Sequence, residues 1–181
     1  MENHHGDSPE PKADPTYLRF FAMIATSMVA MYLLTYLNSF DILGHAWFSE
    51  TRLFMTFLMG ASMMAIMLAY MLGMYSNRRA NIGIVAASAL LLVLGVWLVR
   101  SQVTVDDVDY MEGMIPHHSI AILTSERAGI DDLRVRSLAD GISATQRKEI
   151  AEMEWLINDI RRNGVAATRA DAESRPVPDF D

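Results

Sequence analysis

Three long apolar runs, at about 18–40, 53–75 and 82–99, constrain this chain more than any other feature. Each approaches or exceeds the roughly 20 residues a helix needs to cross a ~30 Å hydrocarbon core. No water reaches that core, so the backbone must satisfy its own hydrogen bonds, as a helix does within one segment. The competing reading, three buried helices of a water-soluble core, fits poorly in only 181 residues. The first run starts late, is longer than a signal-peptide core and shows no small-residue cleavage site, so it reads as a retained span.

Basic residues near the span ends predict the orientation. Lys12 and Arg19 precede span one, and Arg78 and Arg79 lie between spans two and three. The loop between spans one and two has only Arg52 at its far end, and Arg100 closes span three. The expected topology is multi-pass in a bacterial cytoplasmic (inner) membrane. The N-terminus is then cytoplasmic and residues 101–181 are periplasmic or extracellular. Residues 1–16 are polar and carry three prolines, which predicts a disordered cytoplasmic tail. His4 and His5 in that tail read as solvated side chains. Span two carries Met55, Met59, Met63, Met64, Met67, Met71 and Met74 on one half of the helix. A thioether track for a soft cation and simple adaptable packing are both open readings of that stripe.

The six basic and six acidic side chains of residues 1–100 cancel, so the net charge of −7 belongs to residues 101–181. An acidic domain argues against nucleic acid and favours cations as partners. There is no cysteine, which excludes disulfides, thiolate metal sites and thiol catalysis. Methionine is the only sulfur.

Beyond Arg100 the fold class stays all-α. Thr104 with Asp107 three residues on resembles a helix start, and Gly129 can supply a left-handed stop. Asp131 or Asp132 begins a second helix that Gly164 closes. Residues 101–164 are therefore expected to form an αα-hairpin, with 165–181 a disordered tail. Two helices bury little alone, so a homo-oligomer completing a four-helix bundle, or docking on the spans, is expected.

On the first of these helices Met111, Met114 and His118 share one stripe at i, i+3, i+7. His117 points about 100° away from His118 and could join it only through a distortion at Pro116. On the second helix Gln146, Glu149 and Met153 fall inside an otherwise apolar stripe. An inward carboxylate needs a cation or a strong hydrogen-bond partner. Met111, Met114, His117, His118, Glu149 and Met153 are therefore the candidate metal ligands. A thioether–imidazole mixture without thiolate favours Cu(I) or Ag(I) over Mg, Ca and Mn. The bland alternative is a hydrogen-bonded core histidine with Glu149 as its partner.

The pair "MEGMIPHHSIAI" and "QRKEIAEMEWL" resembles the bacterial family called domain of unknown function 305, over about 104–163. The resemblance implies a ferritin-like helical fold and, through members linked to copper outside the cytoplasm, copper handling. Met111, Met114, His117, His118 and Met153 would map onto that family's candidate ligands, and Gln146 and Glu149 onto its second motif. Thr124 stands where such members often have a methionine.

The function expected is a membrane-anchored, extracytoplasmic binding protein for Cu(I) or a similar soft ion, serving buffering, delivery or resistance. Its partners are that ion, the lipid bilayer and further copies of the chain. The alternative is a non-metal assembly or pH-sensing module. A di-iron-type oxidoreductase is disfavoured, because the Glu-x-x-His spacing such centres use occurs only at Glu2–His5. The protein is accordingly not expected to be an enzyme.

Overall fold

A computed structural model describes residues 15–180, which form six helices and, among the described residues, no strand. The tail expected at 1–16, with His4 and His5, falls almost wholly outside the described residues. The first three helices, α1 (Pro15–Leu34), α2 (Glu50–Tyr70) and α3 (Arg78–Ser101), are each long and apolar enough to cross a membrane. At 1.5 Å per residue they run about 30 to 36 Å. Pro15 opens α1, at a position where a missing N–H costs nothing. Ser49 caps α2 by accepting from the Arg52 N–H, and Asn77 caps α3 by accepting from Arg79 and Ala80.

The middle helix, α2, packs against both α1 and α3. Its seam with α1 buries Tyr17, Phe20, Ile24, Met64 and Leu68, with Met28, Met63, Met67 and Met71 alongside. Gly60 lets Met28 lie close there: a Cβ at that position would come within 2.4 Å of Met28 Sδ, and the thioether would have to move aside. Four methionines of the span-two stripe thus fill the seam, as flexible thioethers do, while Met55, Met59 and Met74 are exposed.

The first apolar run does not stay helical to residue 40. Its helix ends at Leu34, and residues 35–49 form turns before α2. Polar groups draw this segment off the helix axis. Arg52 Nη1 donates to the Thr35 carbonyl and stacks on the Tyr36 ring, while the Tyr36 hydroxyl donates to the Trp47 carbonyl.

Next come α4 (Asp107–Arg127) and α5 (Leu133–Asn163), packed as a helical hairpin. The start of α4 differs from the Thr104 expectation: Asp106 and Asp109 form the capping box. The Thr104 hydroxyl is used elsewhere, donating to Glu50. Gly129 does not provide a left-handed stop, because among the described residues only Gln102 and Gly164 have positive φ. Instead α4 ends at Ala128 in extended backbone, which lets residues 128–132 run along the hairpin to Asp132, the cap of α5. Gly164, at φ +78°, closes α5 as its position predicts.

The hairpin core consists of Met111, Ile115, Ile122, Ile150, Met153 and Ile157. Burying each of the isoleucines is worth about 2 kcal/mol. Part of the cover expected from a second chain is intramolecular: Phe40 and Trp47 of the 35–49 loop pack on this core. The loop is fastened at several points. The Phe40 N–H donates to Ser119 Oγ at 2.8 Å, and Arg147 and Arg161 stack on Phe40 and Trp47. The segment after Gly164, whose composition predicts no fixed structure, carries a short helix, α6 (Arg169–Ser174). Arg175 then pairs with Asp159, and Lys148 with Asp179, joining this segment to α5.

Candidate functional site

Antiparallel packing of α4 on α5 brings His118 against Glu149, 31 residues apart in sequence. His118 Nε2 lies 2.9 Å from Glu149 Oε2, and His118 Nδ1 lies 2.9 Å from the Met114 carbonyl oxygen. A carbonyl only accepts, so Nδ1 carries a proton. In a neutral ring Nε2 then holds a lone pair, facing a carboxylate that is itself an acceptor when ionised. At 2.9 Å the contact is satisfied by a proton between them; a metal ion, with bonds of about 2 Å to each atom, would need the pair to part. Gln146 Nε2 donates to the same Glu149 oxygen at 3.3 Å. The His118 side chain is 12% exposed but that of Glu149 is 44%, so the carboxylate expected to point inward sits at the rim of the core.

The thioethers occupy the adjoining layer. Met114 lies one turn before His118 on α4 and Met153 one turn after Glu149 on α5. Because the helices are antiparallel, both steps lead the same way. Met111 and Met153 are buried there together, with Met114 packed against them. Five of the six predicted ligands thus lie along the α4–α5 seam over three successive turns, Met111 farthest from His118.

His117 is placed differently. Helix α4 continues through Pro116, and the two imidazole centroids lie 6.1 Å apart at 64°. His117 is exposed and lines a separate cleft of about 340 Å³, whose walls include Ser49, Arg52, Gln102, Tyr110 and Met114. No distortion at Pro116 turns it toward Glu149. Among the described residues, Met114 borders both the hairpin core and this cleft.

Three polar features of the site region have no counterpart in the sequence reading. Ser119 is fully buried, and its Oγ lies 2.8 Å from His45 Nδ1 while accepting from Phe40. Glu112 is also buried and pairs with Arg161, the residue that stacks on Trp47. At the far end of the hairpin, Glu126 accepts from Arg147 and Ser143, which hold its carboxyl below the usual range. Glu112 lies about 100° from Met111 on the helix circumference, outside the stripe read from the sequence, so its burial carried no local signal. The short linker after Arg100 places the outer-loop His45 near the site, but its pairing with Ser119, across 74 residues, carried no signal.

Among the described residues no three His, Asp or Glu side chains cluster as they would for a hard or borderline cation. At this position one imidazole meets one carboxylate, with Met114 one turn and Met111 two turns before His118 on α4.

Residues 107–178 match the family model described as "Domain of unknown function (DUF305)". The chain is also similar to an uncharacterized protein of Acanthamoeba polyphaga mimivirus, 28% identical over 145 residues, covering 76% of this chain and 93% of that protein. A likeness of that length extends beyond the hairpin domain into the preceding helices or their loops. No solved structure gives a match.

Proposed function

With residues 107–178 forming a domain of this family, we propose that the protein is a membrane-anchored, extracytoplasmic binding protein for Cu(I) or a similar soft ion. It would hold the ion for buffering, delivery or resistance. One observation carries the reading: His118 meets an acceptor at each ring nitrogen, with Glu149 opposite Nε2 and thioethers in the next layer. Of the predicted set, His118, Met111, Met114, Met153 and Glu149 would hold the ion. Glu149 offsets its charge, and the thioethers supply softness without needing deprotonation. His117, on its own face, is not needed. Arg19, Arg78 and Arg79 at one end of the spans support a cytoplasmic N-terminus, which puts the hairpin outside.

The test uses the full chain in lipid nanodiscs, because Phe40 and Trp47 cover the hairpin core and a fragment would lack them. His4→Ala and His5→Ala form the background, so that the N-terminal pair contributes nothing. Cu(I) is titrated against a competing chelator, with helicity followed by circular dichroism. His118→Ala and Met153→Leu are each expected to lower affinity at least tenfold, and His117→Ala by less. If the unsubstituted site surrenders Cu(I) as readily as the His118→Ala and Met153→Leu variants do, the proposal fails. Equal competition by Zn(II) would refute the soft-ion assignment.

A further inference from the structure

A groove of about 560 Å³ runs between α2 and α3 at the end of the spans where Arg78 lies. Its α3 wall is Ile82, Val85, Ala86 and Ala89, at i, i+3, i+4 and i+7 on one helix face. Ala65 and Ala69 line it from α2, with the buried Leu68 between them. The four alanines end at Cβ and leave the hollow that larger side chains would fill. Arg78 lies four residues before Ile82, on the same face, and stands at the mouth. Arg79 is about 100° round the helix and lies outside the lining. From Arg78 to Ala89 the groove runs about 16 Å along α3 at 1.5 Å per residue. That is close to half of a ~30 Å hydrocarbon core, the depth of one leaflet.

The polar groups at the mouth differ in what they have left to offer. Asn81 is engaged within the protein: its amide donates to the Tyr75 carbonyl and accepts from the Tyr17 hydroxyl, each at 2.8 Å. Arg78 is exposed, and residues 15–40 and 51–105 contain no Asp or Glu. Glu50 opens α2 at its opposite end, so no carboxylate of the three helices neutralises Arg78. We propose that this groove seats one anionic phospholipid, with an acyl chain between α2 and α3 and its phosphate on Arg78. Arginine suits that role because its paired N–H groups match phosphate oxygens, and basic clefts between spans hold such headgroups. A zwitterionic lipid is disfavoured, because its cationic end would find no carboxylate at the mouth. The seated lipid is thereby distinguished from those that merely surround the spans. The inference rests on the membrane anchoring, and on neither the metal ion nor the direction of insertion.

The full chain is placed in vesicles of equal phosphatidylglycerol and phosphatidylcholine and extracted in mild detergent. Native mass spectrometry then counts the lipid that it retains. Phosphatidylglycerol should be retained roughly fivefold or more over phosphatidylcholine. Arg78→Gln should abolish that preference, and Arg79→Gln should leave most of it. Ala86→Phe, which fills the groove, should lower phosphatidylglycerol retention about as far as Arg78→Gln does, with circular dichroism showing the helices intact. Equal retention of the two lipids by the unsubstituted protein would overturn the proposal. So would equal losses from Arg79→Gln and Arg78→Gln, which would mean diffuse attraction to a basic end. Full retention by Ala86→Phe would also overturn it, since the headgroup would then bind without a chain in the groove. Release of the protein from the vesicles by alkaline carbonate would overturn the membrane anchoring itself, and this proposal with it.

Discussion

Ser119→Ala isolates the joint between the two halves of this protein. Ser119 is fully buried, and its hydroxyl oxygen serves the Phe40 N–H and His45 Nδ1, each at 2.8 Å. Alanine keeps the helix and its volume within one atom, so α4 itself should be unharmed. Both partners on the loop then lose their hydrogen bond. A net hydrogen bond is worth about 0.5–1.5 kcal/mol, and an orphaned buried donor costs about 1–3. Phe40 and His45 are only half-buried, so water replaces part of what is lost. The expected cost is about 1–2 kcal/mol, confined to the loop. In amide hydrogen exchange of the full chain in nanodiscs, residues 36–49 should exchange roughly 5- to 30-fold faster. Amides of Ile115–Ile122 should keep their protection. Unchanged exchange in the loop would refute the role given to Ser119, and faster exchange throughout α4 would show that the substitution acts through the helix instead.

Two further outcomes follow from the ion pairs. Arg161→Ala leaves the buried Glu112 carboxylate without its counter-charge and removes the stack on Trp47. A fully buried pair broken this way costs about 3–5 kcal/mol. The Arg161 side chain is half-exposed, so a loss of about 1–3 kcal/mol is expected in thermal melts, with partial recovery when Glu112→Gln is added. Asp132 caps α5 and pairs with Arg134, which brings its carboxyl down to about 2 from 3.8. Because the folded value is depressed, this stabilisation is present above pH 3.8 and lost as pH falls toward about 2. Asp132→Asn should therefore lower the melting temperature at pH 7, with the deficit shrinking as pH falls through that window and vanishing near pH 2.

The elements with strong periodicity were legible in the sequence. The three apolar runs, the helix stop at Gly164 and the stripes bearing His118 and Glu149 all follow from local rules: length, left-handed backbone and the 3.6-residue turn. Helix geometry alone also separates His117 from His118, as observed. The errors have equally specific causes. Leu37 and Phe40 prolong an apolar run, yet Thr35, Tyr36 and Arg52 make tertiary hydrogen bonds and stacks that end the helix at Leu34. Thr104 looked like a cap, but Asp106 competes better with two side-chain acceptors and the reciprocal Asp109 contact. Glu149 looked buried because its stripe is apolar, although it lies at the edge of that stripe, opposite His118, with its side chain 44% exposed. The docking of Phe40 and Trp47 had no signature, because two aromatics beside a span read equally well as membrane-interface anchors.

The loop clamp also bears on how the protein is made. The Phe40 N–H and the Ser119 hydroxyl that receives it are 79 residues apart, and the aromatic half is synthesised first. At about 5–20 residues per second, roughly 4–16 s separate the two on the ribosome. During that interval Phe40 and Trp47 have no hairpin to meet, and the bilayer interface is the natural place for them to wait. With the three helices in a bilayer, final assembly would move two aromatic side chains from its interface to the α4–α5 core. A chain interrupted before Ser119 would remain inserted with its loop in the wrong phase.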